Sequence, residues 1–345
     1  MKANILYDIG DLRYVDAPIP DLKESEVLVN VKASGICGSD INRVFKTGTY
    51  HFPTVIGHEF SGVVVKAPNN PSLLGKRVGV FPLKPCFKCI NCLEGNYEMC
   101  TNYDYLGSRC DGGFEEFVAV PEWNLIELPE NVTFEEAAML EPASVAVHAL
   151  NQVHRCDDKT LAIIGPGTIG NILCQLARIL RFKSVIMIGR TQQKLEIAKN
   201  SGATAVINSS NQNPSELVME ITDNHGADIV IEGTGAVESL ATAIMIAKSG
   251  GEIVLLGNPL GDMNLTKSVY WQILRRQLTL KGTWNSSFGV KKNDWKTALR
   301  YIASEQLHLR ELISHRLPFN SLKEGLNIMK SKDIFSNKIM LINNE

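Results

Sequence analysis

The sequence predicts a two-domain α/β protein: a mostly β first part, then an open parallel sheet covered by helices on both faces. Three observations predict it. The chain has 345 residues, more than a single hydrophobic core usually serves. Val-rich runs bounded by Gly, Pro and Asn crowd its first part. After about residue 145 the texture changes to apolar strands alternating with helical segments.

In the first part, Val27 to Lys32, Gly62 to Lys66 and Arg77 to Phe81 read as short strands separated by turns. Further on, LAIIG, SVIMIG, AVIN, DIVIEG and EIVLLG are strands of the fully buried type. Segments with helical spacing, such as NILCQLARIL and QQKLEIAKN, lie between most of them. That alternation predicts a doubly wound parallel sheet. Beyond Trp284, WKTALRYIASEQ and LKEGLNIMKS look like amphipathic helices and NKIMLIN like a closing strand, a tail expected to pack back on the first domain. The expected boundaries are 1–146, 147–284 and 285–345.

Charge excludes some functions. With 35 basic and 37 acidic residues the net charge is −2, so no broad field draws the chain to nucleic acid or an anionic membrane. Asp8 and Asp11 interrupt the stretch where a secretory signal needs an apolar run, and no segment is long and apolar enough to cross a bilayer. The expected compartment is the cytoplasm.

Of the 8 cysteines, Cys86, Cys89, Cys92 and Cys100 are crowded together as C-x2-C-x2-C-x7-C. Two-residue gaps let neighbouring thiolates converge on one tetrahedral ion, and a reducing cytosol disfavours bridging them. Four thiolates fill the coordination of zinc, so this lobe (86–100) is expected to be structural. A nucleic-acid-binding zinc ribbon would want clustered cations and exposed aromatics; Lys84, Lys88, Phe87 and Tyr97 are too few.

A second, open site is assembled from single residues. Cys37 in GICGSD, His58 in GHE and Glu141 in LEPAS offer a soft, a borderline and a hard ligand. Three protein ligands leave one position for a substrate oxygen, and a zinc ion there acts as Lewis acid on an alcohol. Each residue alone also reads blandly: Cys37 as a small core residue, His58 as a hydrogen-bonded structural group, Glu141 as a helix cap. Glu59, beside His58, reads as a ligand-orienting acceptor, an exchanging metal carboxylate, or a solvated turn residue.

After LAIIG, the residues Gly165, Gly167 and Gly170 form G-x-G-x-x-G and lead into a helix beginning near Thr168 and Ile169, the required context for a dinucleotide pyrophosphate. An NAD site usually ends its second strand in a carboxylate. Here Gly189 stands there with Arg190 beside it and Lys194 nearby, which favours NADP over NAD. A solvated Arg190 and loosely bound NAD is the alternative.

Together these pieces resemble the zinc-containing medium-chain dehydrogenase family over essentially the whole chain. GICGSD, GHEFSG, the four-cysteine lobe, LEP and GPGTIG occur in that family's order. Glu at the LEP position resembles its polyol branch. FKTGTYHFPTVIGHEFSG, NYDYLGSRCDGGF and ILRRQLTLKGTW are similar to the galactitol 1-phosphate 5-dehydrogenase type.

The resemblance implies a GroES-like β domain with a catalytic zinc at Cys37, His58 and Glu141 and with Glu59 in its neighbourhood. It further implies a Rossmann domain with NAD(P) lying across the cleft, and a homodimer or homotetramer. Ser39 matches the hydroxyl that relays the substrate proton, while Asn42 stands where many relatives have a titrating His. Thr234, Gly257 and the stretch Thr283, Trp284 and Asn285 match positions around the nicotinamide.

A phosphorylated polyol would need fixed positive charge. Arg43, Lys46, His51 and Arg109 are the candidates, each of which also reads as a solvated loop residue, and Asn285 is a further substrate candidate. A free polyol (sorbitol or L-iditol) or a threonine-type substrate with NAD is the second reading. A zinc-free reductase or a non-catalytic redox-sensing module are the rivals from other classes.

Overall fold

The computed structural model describes residues 1–154 and 156–343. The chain forms two compact units, one of Met1–Ser144 with Ser286 onward, the other of Val145–Asn285.

In the first unit a seven-stranded sheet is built around the long strand Glu26–Ile36. Along one path Leu125–Glu127, Arg77–Val80 and Glu59–Lys66 lead to it, and Phe117–Pro121 also pairs with it. On its other side the last strand, Lys338–Ile342, places Ile339 opposite Ile36. The closing strand read from NKIMLIN is thus a neighbour of the strand that ends just before Cys37. The strand Ile313–Pro318 escaped sequence reading: its burial alternates weakly and it carries His, Arg and Pro, as an edge strand does. Val27, Val29, Val31, Ile36, Phe60 and Ile339 are at most 1% exposed and form the core of the sheet. Burying each such side chain contributes roughly 1.5–3 kcal/mol.

The second unit is a six-stranded parallel sheet. Its strands are β1 (Thr160–Ile164), β2 (Ser184–Gly189), β3 (Ala205–Asn208), β4 (Ala227–Glu232), β5 (Ala247–Leu255) and β6 (Thr279–Gly282), in the order β3-β2-β1-β4-β5-β6. Helices Thr168–Ile179, Gln192–Asn200, Pro214–Ile221, Val237–Ile246 and Lys267–Arg275 lie between the strands in sequence. The order reverses at β1, so the loops after β1 and β4 flank the switch point where such sheets bind ligands.

No helix among the described residues is long and apolar enough to cross a membrane.

Candidate active site

Strand Glu26–Ile36 delivers Cys37 to the cap of the short helix Gly38–Asn42. Asp40, fully buried, folds back so that its Oδ2 accepts the Cys37 N–H at 3.0 Å, satisfying a donor that the helix start leaves unpaired. The next turn, Arg43–Thr47, is π-helical and returns Arg43 over this helix. Arg43 Nη1 donates to Ser39 Oγ and to Asp40 Oδ1, both at 2.8 Å, and lies 3.3 Å from His58 Nδ1. Asp40 Oδ1 is 3.6 Å from the same nitrogen. With Nδ1 turned toward Asp40, Nε2 of His58 is the nitrogen left for a ligand.

One ligand atom each from Cys37, His58 and Glu59 lies within 4.8 Å of the others. Glu59 opens the strand Glu59–Lys66 directly across from Gly35. Its Oε2 meets the ammonium of Lys338, which also donates to the Ile36 carbonyl at 3.2 Å. Glu141, on the helix Leu140–Asn151, stands outside that trio but beside it. Tyr105 Oη donates to Glu141 Oε1 over 3.4 Å, and its ring centroid is 5.8 Å from that of His58.

The electrostatics of this set point to a cation. Burial pushes the Glu141 carboxyl up to about 8, with His58 opposing the rise and Glu59 and Cys37 adding to it. Burial likewise pushes the Cys37 thiol up to about 11, Glu59 and Asp40 adding, Lys338 opposing. Acidic groups that suppress one another's ionisation in a dry site are relieved by a bound cation. Thiolate, imidazole and carboxylate are zinc's donor types.

The four-cysteine lobe fits the same ion with no position left over. Cys86 and Cys92 Sγ are 3.9 Å apart, Cys89 and Cys92 3.5 Å, Cys89 and Cys100 3.9 Å. A tetrahedron of sulfurs about 2.3 Å from zinc has edges of about 3.8 Å. Backbone N–H groups of Lys88 and Cys89 donate to the Cys86 sulfur and hold its thiol below the usual range, favouring thiolate there. Trp123 packs edge-on to Phe87, Tyr97 and Phe288, tying the lobe to an aromatic cluster that the sequence reading did not identify.

In the second unit, the candidate coenzyme residues Gly165, Gly189, Thr234, Gly257 and Trp284 all follow or close the carboxyl ends of sheet strands. Gly165 adopts φ +116, a turn open to glycine. A Cβ on Gly170 would meet the Gly165 carbonyl oxygen at 2.1 Å, so helix Thr168–Ile179 reaches the strand only because that atom is absent. Nothing lies within 4 Å of a Cβ on Gly167, leaving its backbone approachable. Thr234 donates its hydroxyl to Glu232 at 2.6 Å, and the Asn285 amide nitrogen and Thr283 hydroxyl are buried without a partner among the described residues.

Gly189 has a packing role as well. Its missing side chain reads in the sequence as room for a 2′-phosphate, but a Cβ there would meet Pro166 Cγ at 2.3 Å. Packing against Pro166 thus gives the absent side chain a structural reason as well. Arg190 beside it is exposed, and Lys194 is half-buried.

The four cations considered for a substrate phosphate are separated by the structure. Arg43 Nη1 is committed to Ser39 and Asp40. Lys46 is exposed. The His51 ring nitrogens lie at the carbonyl oxygens of Pro53 (3.1 Å) and Arg109 (3.2 Å). The Arg109 guanidinium lies 4.0 Å from the Tyr50 ring centroid and 4.6 Å from that of Tyr103.

Asp40, Tyr105 and Lys338 are the site residues that sequence reasoning missed. Asp40 had a signal, since a carboxylate three residues after a helix cap is capping-box spacing. No local spacing singles out Tyr105 or Lys338.

Residues 23–130 match the alcohol dehydrogenase GroES-like domain, and residues 168–304 match the zinc-binding dehydrogenase domain. Galactitol 1-phosphate 5-dehydrogenase of Escherichia coli K12 is 35% identical, over 99% of this chain and 100% of its own. D-xylulose reductase A of Aspergillus oryzae is 32% identical, over 95% and 93%. The crystal structure of the Escherichia coli galactitol-1-phosphate dehydrogenase superposes with a TM-score of 0.93 at 34% identity, covering 99% of this chain and 100% of that one. Two further structures hold coenzyme and cover 99% of each chain. A zinc-binding dehydrogenase of Sinorhizobium meliloti 1021 bound to NADP has TM-score 0.90 and 28% identity. A short chain alcohol dehydrogenase of Escherichia coli CFT073 complexed with NADH has TM-score 0.91 and 27% identity.

Proposed function

The chain belongs to the zinc-containing medium-chain dehydrogenase family, in its polyol branch, and from that premise we propose that it oxidises a secondary hydroxyl of a polyol phosphate to the ketose, with NADP as hydride acceptor. The observation that carries the dehydrogenase reading is the convergence of Cys37, His58 and Glu59 ligand atoms within 4.8 Å, with Glu141 beside them. Zinc held by Cys37, His58 and Glu141, with Glu59 at hand, supplies Lewis-acid polarisation of the substrate hydroxyl when bound. A second zinc at Cys86, Cys89, Cys92 and Cys100 holds the lobe.

The chain's own groups handle the proton. A serine hydroxyl has one donor and two lone pairs. Arg43 occupies one lone pair of Ser39 Oγ. The other takes the substrate O–H proton as the Ser39 hydrogen moves on, and the Arg43 charge favours the electron-rich oxygen at mid-transfer. Asn42 cannot titrate, so the proton passes from Ser39 to water. Asp40 orients both Arg43 and His58. In the coenzyme unit, Gly165, Gly167, Thr168, Ile169 and Gly170 form the pyrophosphate turn, and Thr234, Gly257, Trp284 and Asn285 serve the nicotinamide end.

The preference for NADP rests on Arg190 and Lys194, cations just beyond β2 where the adenosine ribose binds in such sheets. The homo-oligomer, a dimer or tetramer, is supported by the open edge strand β6 and by helix Lys267–Arg275. None of that helix's residues is buried, and Tyr270, Trp271 and Leu274 are exposed on it. We place the protein in the cytoplasm, since all 8 cysteines are free of disulfides. A second reading, oxidation of a free polyol with NAD, is favoured by the likeness to D-xylulose reductases.

The test is an initial-rate screen of zinc-replete protein with NAD and NADP against galactitol 1-phosphate, arabitol phosphates, sorbitol and the matching ketoses. Preference for phosphorylated substrates with NADP is the expected result. Turnover of free polyols with NAD alone replaces it by the second reading, and no turnover with any of them removes the polyol assignment.

A further inference from the structure

Arg109 differs from the other cations of the first unit in how it is held. Tyr50 and Tyr103 flank its guanidinium, one ring from each of two loops. The Tyr50 loop is pinned to the turn that carries Arg109. The Tyr50 N–H donates to the Ser108 carbonyl at 3.2 Å, and the Arg109 carbonyl lies 3.2 Å from His51 Nε2. Arg109 N–H itself donates to the Tyr105 carbonyl at 2.9 Å, closing a tight turn. Among the described residues no acceptor engages the guanidinium, and no ion pair involves it. Ring faces hold a guanidinium by its π surface and leave its N–H edges free.

From this arrangement we infer that Arg109 is the anion receptor of the active site and binds the phosphate of a phosphorylated polyol through its free N–H edge. The inference rests on the polyol dehydrogenase reading above. It also restricts it, because Arg43 and His51 are committed elsewhere. Location supports it. Tyr103 and Tyr105 are ring neighbours at 6.3 Å, and Tyr105 in turn touches Glu141 and His58. The guanidinium is therefore linked to the metal-ligating groups through two successive tyrosine rings, Tyr103 and Tyr105. A solvated arginine would spend rotamer entropy on binding an anion, whereas Arg109 is already placed. Tyr50 and Tyr103 are positioning residues, and of these three only Arg109 touches the phosphate.

Two measurements on zinc-replete protein with coenzyme separate this inference from the broader reading. The first is calorimetric binding of inorganic phosphate to wild type, Arg109→Gln and Tyr50→Leu. The second is the steady-state kinetics of galactitol 1-phosphate and unphosphorylated galactitol with the same proteins. Loss of a charge-assisted bidentate contact is expected to weaken phosphate binding about ten- to a hundredfold in Arg109→Gln. The KM of the phosphorylated substrate should rise by a similar factor, with kcat and the kinetics of free galactitol unchanged. Tyr50→Leu should give a smaller loss of the same kind, because the charge remains but its placement relaxes. Unchanged phosphate binding and unchanged KM in Arg109→Gln, while galactitol 1-phosphate is turned over, would overturn the role of Arg109 and leave the polyol phosphate reading standing. Arg109-dependent phosphate binding in a protein that oxidises only free polyols would keep the receptor and remove the phosphorylated substrate. Equal loss with both substrates would make Arg109 structural.

Discussion

Lys338, in the last strand, forms an ion pair with Glu59, at the head of the strand that begins beside His58, and the two side chains are 4% and 2% exposed. Such a pair is costly to break from one side, because the surviving charge stays buried without its partner. Lys338→Met should therefore lower stability by about 3–5 kcal/mol. The double variant Lys338→Met with Glu59→Gln should recover much of that loss, by the logic of a mutant cycle. Denaturant unfolding of the metal-free and zinc-loaded proteins reads this, and additive losses in the double variant would show that the two residues do not act as a pair.

The two proposed zinc sites should separate by mutation. Cys37→Ala, His58→Ala or Glu141→Ala should reduce kcat/KM by several orders of magnitude and leave the far-ultraviolet spectrum intact, with loss of one zinc ion per chain on metal analysis. Cys89→Ala should instead open the lobe and increase its proteolysis. Full activity in Cys37→Ala would end the proposed chemistry.

Glu115 should make a pH-dependent contribution to stability. It is 4% exposed, burial pushes its carboxyl well above the ordinary range, and the charge of Asp111 adds to the rise. Both residues line a cavity of about 370 Å³ to which the metal-ligating residues do not contribute. Because the folded pKa is raised, the folded state binds more protons than the unfolded one between the two values. Its contribution is fully present below the unfolded pKa, about 4.3, and declines as pH rises toward the folded value. Glu115→Gln stays neutral, so its melting temperature relative to wild type should climb with pH above that point. A difference that is constant with pH in melting curves would refute this.

On the function proposed above, coenzyme choice should turn on Arg190. Arg190→Ala should raise the KM for NADP about ten- to a hundredfold through loss of charge-assisted bonds, with NAD little affected. If both coenzymes weaken equally, Arg190 serves the loop and does not read the 2′-phosphate.

Much of the fold was legible because it is written at short range. Strand and helix periods in LAIIG and NILCQLARIL, and the glycines between them, report local geometry. The structure renders them as β1, a turn at Gly165 with φ +116, and a helix starting at Thr168. The four cysteines are equally local, since C-x2-C spacing alone brings sulfurs within reach of one ion. Gly189 shows what a local reading leaves out. Its missing side chain answers to Pro166, 23 positions earlier and adjacent only after folding.

What tertiary structure alone decided lies in pairings between distant strands. Glu26–Ile36 is flanked by Glu59–Lys66 on one side and Lys338–Ile342 on the other, and that sheet order carries Lys338 to a glutamate 279 positions away. It likewise decided that Arg43 is tied to Ser39 and Asp40, while the Arg109 guanidinium is flanked by two tyrosines with its donors free. The sequence by itself determined which residues could do the chemistry, because ligand type and local spacing are covalent facts. Which of several similar cations is spent on structure and which remains available depends on partners that only the folded chain brings within bonding distance.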